Sequence, residues 1–513
     1  MYPGIHARTT PGKPAVVMHA TGEQLTYAEL EDRSVRLSRA WHAAGLRPGD
    51  HVALLADNDV RAFEVYWAAM RSGLYFTAVN VHLTADEVAY IVNDCQAKCL
   101  VVSEGLAGLR EQIASATPNV EINLLMGAQG EASASYEAFR DSGEPTRLPH
   151  EPRGTDMLYS SGTTGRPKGV KPPLPEVTVD QYLEPFAALA QTVWGFDSNT
   201  VYLSPAPTYH AAPLRATAAV LALGGTVVLL KRFDPEAALQ AVQDHAVTHS
   251  QWVPTMFIRM LKLPRPVRSQ YDVSSLRVAL HAGAPCPVEV KRSMLDWWGP
   301  VLHEYYSSTE SAGLTLIGPE EWLLHPGSVG RAVVGTLHIC DEAGDEVPDG
   351  VIGAVWFERE RAPFAYHGDE VKTRASQHPH HPTWTTTGDI GFVNAGYLHL
   401  TDRADFMIIS GGVNIYPQEV ESAMALHPAV LDVAVIGVPD DEMGQRVRAC
   451  VELAPDVEAT PETREAILAD VRGRLASYKC PREIEFVAQL PRTPTGKLAK
   501  HRLITSTSNG VRA

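Results

Sequence analysis

The densest chemistry in the chain lies in Tyr159-Ser-Ser-Gly-Thr-Thr-Gly-Arg-Pro-Lys-Gly169. Glycine has no Cβ, so Gly162 and its neighbours let the backbone come close to an anion. The hydroxyls of Ser160, Ser161, Thr163 and Thr164 and the backbone N–H groups can hold phosphate oxygens there, and Lys168 adds a point charge. A plain flexible turn has no need of these hydroxyls together with Arg166 and Lys168, so the loop reads as a phosphate cradle. A Walker A loop requires Gly-Lys-Ser/Thr, whereas Lys168 follows Pro167 and precedes Gly169. A Rossmann fingerprint requires GxGxxG, and no two glycines of this chain stand two positions apart. GxSxG is also absent, which leaves a serine hydrolase without support.

Other candidates say little singly. Glu310 alone would be a surface carboxylate, Asp389 in Thr-Gly-Asp a turn cap, and Lys497 a solvated lysine. The tract His378-Pro-His-His-Pro382 has metal-ligating side chains, but histidines in a proline-broken loop read as solvated. Six cysteines without a CxxC pair read as reduced thiols of a cytoplasmic protein. A net charge of -16 argues against nucleic acid and anionic membranes as partners, though a nucleotide site can be locally positive. The N-terminus has no apolar h-region, and no run approaches about 20 apolar residues, so neither a signal peptide nor an integral membrane segment is expected.

These residues need elements to hold them. A length of 513 residues calls for at least two domains. His51–Ala56, Lys98–Ser103, Gly225–Leu230 and Leu276–Leu280 read as buried strands, and Tyr27–Ala44 and Asp86–Asp94 have helical spacing. That alternation predicts an α/β fold with largely parallel sheets. From Gly327 to Phe357 short strands with Gly and Pro turns predict a small antiparallel sheet or barrel. Helices over Tyr416–Leu426 and Pro461–Leu475, with strands over Val430–Val438, Arg446–Leu453 and Glu483–Val487, predict a compact C-terminal α+β unit of about 100 residues.

Taken in order, the motifs resemble those of the adenylate-forming superfamily: acyl-CoA synthetases, peptide-synthetase adenylation domains and luciferases. The resemblance runs from about Gly22 to Lys500 and is closest in look to a stand-alone fatty-acid or aryl-acid CoA ligase. It implies a large N-terminal domain (1–403), a hinge (404–406) centred on Asp405, and a small mobile C-terminal domain (407–513). It also implies roles. Tyr306 and Ser307 of Tyr305-Tyr-Ser-Ser-Thr-Glu310 would face adenine, Thr309 phosphate, and Glu310 a Mg2+ ion. Gly283, Ala284 and Pro285 would flank the nucleotide, Asp389 would bind ribose, and Arg403 would contact the nucleotide. Tyr209, His210, Val253, Met256, Ala282 and Ala312 would line an acyl pocket, and Gly411 and Gly412 a tunnel for the pantetheine arm of coenzyme A. Lys497 of Pro491-Arg-Thr-Pro-Thr-Gly-Lys497 would complete the adenylation site. The chain departs from the family pattern at Ser307 and Asp402, where glycine is usual, and at Lys171-Pro-Pro-Leu-Pro175, which cannot start a regular helix.

The implied activity is ATP-dependent formation of an acyl-adenylate from a hydrophobic carboxylic acid, then thioester formation with coenzyme A. The alternative acceptor is an amine. No carrier or condensation domain follows Lys500, so free coenzyme A is the simplest acceptor. The expected cofactors are ATP and Mg2+, and the expected partners are the acid and coenzyme A, with a homodimer allowed.

Overall fold

Runs of apolar residues in the N-terminal half become parallel strands because both of their faces are covered. The computed structural model describes residues 1–127, 134–160, 167–403, 406–440, 442–491, 498, 500 and 502–503. The chain divides into two compact units. The first comprises Met1–Trp252, Ser269–Ala279 and Phe364–Glu370, and the second Val253–Arg268, Leu280–Pro363 and Val371–Ala513.

In the first unit a parallel sheet has the order Ile122–Leu125, Ala97–Val102, His51–Leu55, Tyr75–Val79, Thr155–Asp156. Every residue of His51–Leu55 and Tyr75–Val79 is buried. Helices Arg61–Arg71 and Ala85–Asp94 make the crossovers, and Thr84 opens the latter with a capping box closed by Glu87. A second set, His249–Trp252, Val201–Ser204, Thr226–Leu229 and Pro14–Met18, is also parallel, with Gln24–Thr26 antiparallel beside the last. The expected strands and helices of this half are all present within a residue or two at each end.

The second unit is mostly antiparallel. Strands Leu302–Ser307, Leu314–Ile317 and Arg331–Val334 lie side by side. A small sheet of Thr336–Cys340, Gly353–Glu358, Asp389–Asn394 and Tyr397–Arg403 packs on Val329, Ile339, Val355, Phe357 and Leu398. The C-terminal α+β body joins Val430–Asp440, Gly444–Leu453 and Glu483–Val487 to helices Pro417–Met424 and Pro461–Arg472. Val420, Met424, Val435, Ala449, Ile467 and Val471 form its core.

One feature was not anticipated and one differs from expectation. Ile408–Ser410 and Val413–Ile415 form a hairpin that turns through Gly411 (φ +57°) and Gly412 (φ +79°). Two consecutive positive φ values are what a tight two-residue hairpin turn demands. The histidine tract, expected to be solvated, is partly packed: His378 is buried and its Nε2 lies 2.9 Å from the Gly344 carbonyl. Trp384 stacks with His338 (3.7 Å) and with His381 (4.1 Å), while His380 and His381 themselves stay exposed. Among the described residues no cluster of three or more metal-ligating side chains is arranged to hold an ion.

All six cysteines are free; five are buried and Cys286 is partly so. Among the described residues no helix is long and apolar enough to cross a membrane. Residues 404 and 405 of the expected hinge lie outside the described residues.

Candidate active site

The phosphate-type loop sits on a two-stranded hairpin of the first unit. Leu158–Ser160 pairs with Lys168–Val170, Ser160 opposite Lys168 and Tyr159 opposite Gly169. Ser161, Gly162, Thr163 and Thr164 lie outside the described residues. The hairpin is anchored at its base. The Tyr159 hydroxyl donates to Asp94 Oδ2 at 2.5 Å, and burial pushes the phenol far above its usual range, so it stays protonated. Gly169 is closely packed: a Cβ there would stand 2.5 Å from Met157 Cε and 3.1 Å from Tyr159 Cζ, so these side chains would have to shift to admit it. Lys168 Nζ lies 5.2 Å above the Tyr366 ring. The unusual segment after the hairpin is not helical. It is pinned by Lys171 over the Tyr75 ring (4.6 Å) and by the Tyr75 hydroxyl donating to the Pro172 carbonyl (2.9 Å).

Tyr209 and His210 pack ring to ring at 4.6 Å, where the chain enters helix Ala211–Leu223. Tyr209 borders a small apolar cavity with Leu54, Phe63, Phe76 and Leu214. Burial pushes its phenol up to about 12, which makes it a wall rather than a base. The turn leading to it is held by buried Asn58, which no motif marks. Asn58 Nδ2 donates to the carbonyls of Leu230 (2.7 Å) and Ala206 (3.2 Å), and its Oδ1 accepts from the Thr208 N–H (2.8 Å). Arg215 on the same helix donates to Asp156 at 2.9 Å, tying that helix to the strand that leads into the hairpin. Neither Asn58 nor Arg215 carries a local signal; only the folded path brings them to their partners.

The nucleotide-type motifs gather in the second unit. Strand Leu302–Ser307 carries Tyr306, and its hydroxyl donates to Asp389 Oδ2 at 2.7 Å. Thr387 Oγ1 donates to the same oxygen at 2.8 Å, so the carboxylate is oriented by two hydroxyls. Arg403 ends the neighbouring strand, in register with Asp389. Behind Tyr306 lies Phe357, 6.2 Å between centroids, which itself fills the place of a side chain at 313: a Cβ on Gly313 would lie 2.0 Å from the Phe357 ring. Ser307, where the family pattern has glycine, donates its hydroxyl to the Gly313 carbonyl at 2.8 Å and so closes the turn after the strand.

That turn presents Thr309 and buried Glu310, followed by Ser311 in a left-handed conformation (φ +55°). Few residues other than glycine adopt such a φ, and they do so where the surroundings enforce it. Glu310 offers hard oxygen donors, and among the described residues it is not part of a group of three or more His, Cys, Asp or Glu side chains that could hold an ion. That donor set suits Mg2+, which is usually held by one or two carboxylates plus substrate phosphates. Gly283 (φ +86°) and Ala284 are exposed, and Pro285 is partly covered. A Cβ at Gly283 would meet only Val253, at 3.7 Å. Met256, Ala282 and Ala312 are buried in the same unit.

In the C-terminal body Asp402 has a structural explanation. Its Oδ2 accepts from the Gln418 N–H at 3.1 Å, capping helix Pro417–Met424, whose own N-cap Tyr416 supplies no side-chain bond. Lys500, buried, pairs with Glu421 at 2.7 Å. Asp405 and Lys497 lie outside the described residues.

Comparison with known proteins bears on this arrangement. Residues 5–361 match the AMP-binding enzyme family and residues 419–497 the AMP-binding enzyme C-terminal domain. A feruloyl-CoA synthase of an Amycolatopsis species is 35% identical over 97% of this chain and 97% of its own length. The crystal structure of the anthranilate CoA ligase AuaEII with anthranoyl-AMP superposes with a TM-score of 0.85 at 26% identity, covering 100% of this chain and 98% of that one. The amide bond synthetase McbA from Marinactinospora thermotolerans superposes with a TM-score of 0.80 at 27% identity, covering 99% and 100%. With a family match across both its large and its C-terminal parts, and relatives aligned along nearly its whole length, the chain belongs to the AMP-binding, adenylate-forming enzymes.

Proposed function

We propose that this chain activates an aromatic or otherwise hydrophobic carboxylic acid with ATP and transfers the acyl group to coenzyme A. The observation that carries the reading is the Tyr306–Asp389–Thr387 cluster, with Glu310 on the turn that follows the same strand. Asp389, oriented by two hydroxyls, is a carboxylate acceptor of the kind that ribose hydroxyls donate to. Tyr306, backed by Phe357, offers a ring for adenine. Lys168 and Lys497 meet phosphate charge, Arg403 contacts the nucleotide, and Glu310 is the protein ligand of Mg2+. When bound, that ion neutralises charge on the phosphates.

The chemistry follows from a weakness of carboxylates, whose oxygen leaves badly. Attack on the α-phosphorus of ATP breaks the bond to pyrophosphate and forms a mixed anhydride with AMP as the new leaving group. The coenzyme A thiolate then displaces AMP. Positioning and charge stabilisation suffice for both steps. Buried Ala282 and Ala312, near-open Gly283 and apolar Val253 and Met256 suit a flat, hydrophobic acid. The likeness to feruloyl-CoA synthase and an anthranilate CoA ligase supports the aromatic class.

The test is pyrophosphate release across a panel of aromatic and aliphatic acids, with and without coenzyme A. Acid-dependent release, with thioester formed on adding coenzyme A, is the expected result. Nucleotide binding without any acid-dependent release would reduce the protein to a nucleotide-binding module. The likeness to McbA favours one second reading, an amine acceptor, and amide product from adenylate plus amine in place of coenzyme A would establish it.

A further inference from the structure

Beneath the nucleotide-type motifs lies a buried ionic group that no motif includes. Lys291 Nζ and Glu304 Oε2 are 2.6 Å apart, with side-chain exposures of 0% and 5%. His281 Nε2 is 3.5 Å from the same carboxylate oxygen, also fully buried, and neither of its ring nitrogens has a hydrogen-bond partner. Trp322 lies 4.7 Å below the lysine ammonium, and Phe257 meets the imidazole edge-on at 5.5 Å. Burial keeps His281 neutral, its pKa well below the usual value, and raises that of Glu304 against the opposing pull of Lys291.

The three residues stand at the roots of three elements. His281 ends strand Val278–His281 and begins the loop with Gly283, Ala284 and Pro285. Lys291 lies in the first turns of helix Val288–Trp298, which closes that loop. Glu304 lies two residues before Tyr306 on strand Leu302–Ser307, and alternation along a strand puts the two on one sheet face. Glu304 therefore bonds the helix that closes the loop to the strand that carries Tyr306, while neutral His281, at the loop's other end, only packs beside the same carboxylate.

Stability does not explain such a group. Taking an ion pair out of water costs as much as its attraction returns, and well-packed apolar replacements are often as stable or more so. A pair bonded at 2.6 Å does, however, restrict the position of helix against strand more tightly than dispersion contacts between interchangeable apolar groups. We infer that Glu304, through Lys291, is a positioning residue for the nucleotide: it sets the distance between the Gly283–Pro285 loop and Tyr306. This rests on the proposed function only in taking those residues as the nucleotide's surroundings.

The experiment replaces the pair by apolar residues of similar volume, K291M/E304L, and measures melting temperature, binding of a fluorescent ATP analogue without acid or coenzyme A, and KM for ATP and for coenzyme A. The expected result is a melting temperature at or above wild type, ATP-analogue affinity reduced about tenfold, KM for ATP raised to match, and KM for coenzyme A within twofold of wild type. K291R, which keeps the charge pair, is expected to stay within about threefold of wild type for ATP. Wild-type affinity for the analogue in a folded double variant, or an equal rise in both KM values, would overturn the inference. If the double variant does not fold, E304D decides: its carboxylate is one methylene shorter, and unchanged nucleotide affinity there would also overturn it. Failure of the wild-type protein to bind the analogue would instead sink the functional reading.

Discussion

Tyr306 donates its hydroxyl hydrogen to Asp389 across 2.7 Å, and so joins the strand of one motif to the first residue of the strand that follows another. The bond orders both the ring and the carboxylate before any ligand arrives. A hydrogen bond to a charged group contributes about 1.5–3 kcal/mol, which is roughly tenfold or more in binding. Tyr306→Phe keeps the ring and removes the bond. It is expected to raise KM for ATP about tenfold while changing kcat little, in steady-state assays of pyrophosphate release. A fall in kcat at unchanged KM would show that the bond serves the reaction rather than binding.

Glu310→Gln removes a negative charge and keeps the shape of the side chain. If Glu310 is the protein ligand of Mg2+, the variant needs more magnesium for half-maximal activity, by about tenfold, and excess magnesium restores part of the rate. Titration of magnesium at fixed ATP makes the measurement. An unshifted magnesium curve would take Glu310 out of that role.

Lys497→Ala separates the two half-reactions. Adenylate formation is expected to fall by at least a hundredfold, in line with losses on removing a stabiliser of developing charge. Thioester formation from supplied acyl-adenylate should stay near the wild-type rate. The two rates are read separately by pyrophosphate release and by consumption of coenzyme A. Equal losses in both would contradict the assignment.

Stability should fall on the acid side for a definite reason. His51 is buried against Tyr75, and burial lowers its pKa to about 3. The unfolded chain takes up a proton near pH 6.5, which the folded chain refuses until about pH 3. Within that window the unfolded state binds more protons, so stability rises with pH and is lost as pH drops from about 6.5 toward 3. His51→Phe removes this contribution. Its melting temperature should vary less steeply over the window than that of wild type, by calorimetry at several pH values. Equal slopes would mean that His51 is not a source of the acid sensitivity.

Much of the fold was legible because burial leaves a plain mark on sequence. His51–Leu55 reads as a strand since a parallel strand covered on both faces is apolar throughout. The C-terminal helices announce themselves by Pro417 and Pro461 at their first positions. The hairpin around Gly411 and Gly412 did not, because its three-residue strands are too short to show a period. Asp402 looked like an unexplained exception until the chain brought it to the N-terminus of a helix 16 residues on. Lys291, Glu304 and Asn58 were invisible for a deeper reason. A charged or amide residue normally marks the surface, and only tertiary contacts show that these three are buried with partners.

The free thiols turn the protein into a reporter of its own opening. Cys99 lies within the parallel sheet of the first unit and Cys450 within the C-terminal sheet of the second, each fully or nearly fully buried. A thiol attacks a reagent only as the exposed thiolate, so neither is labelled until its own sheet unpacks. Pulsed alkylation with site mapping would therefore time the loosening of the two sheets independently, in the natural sequence and without any probe attached.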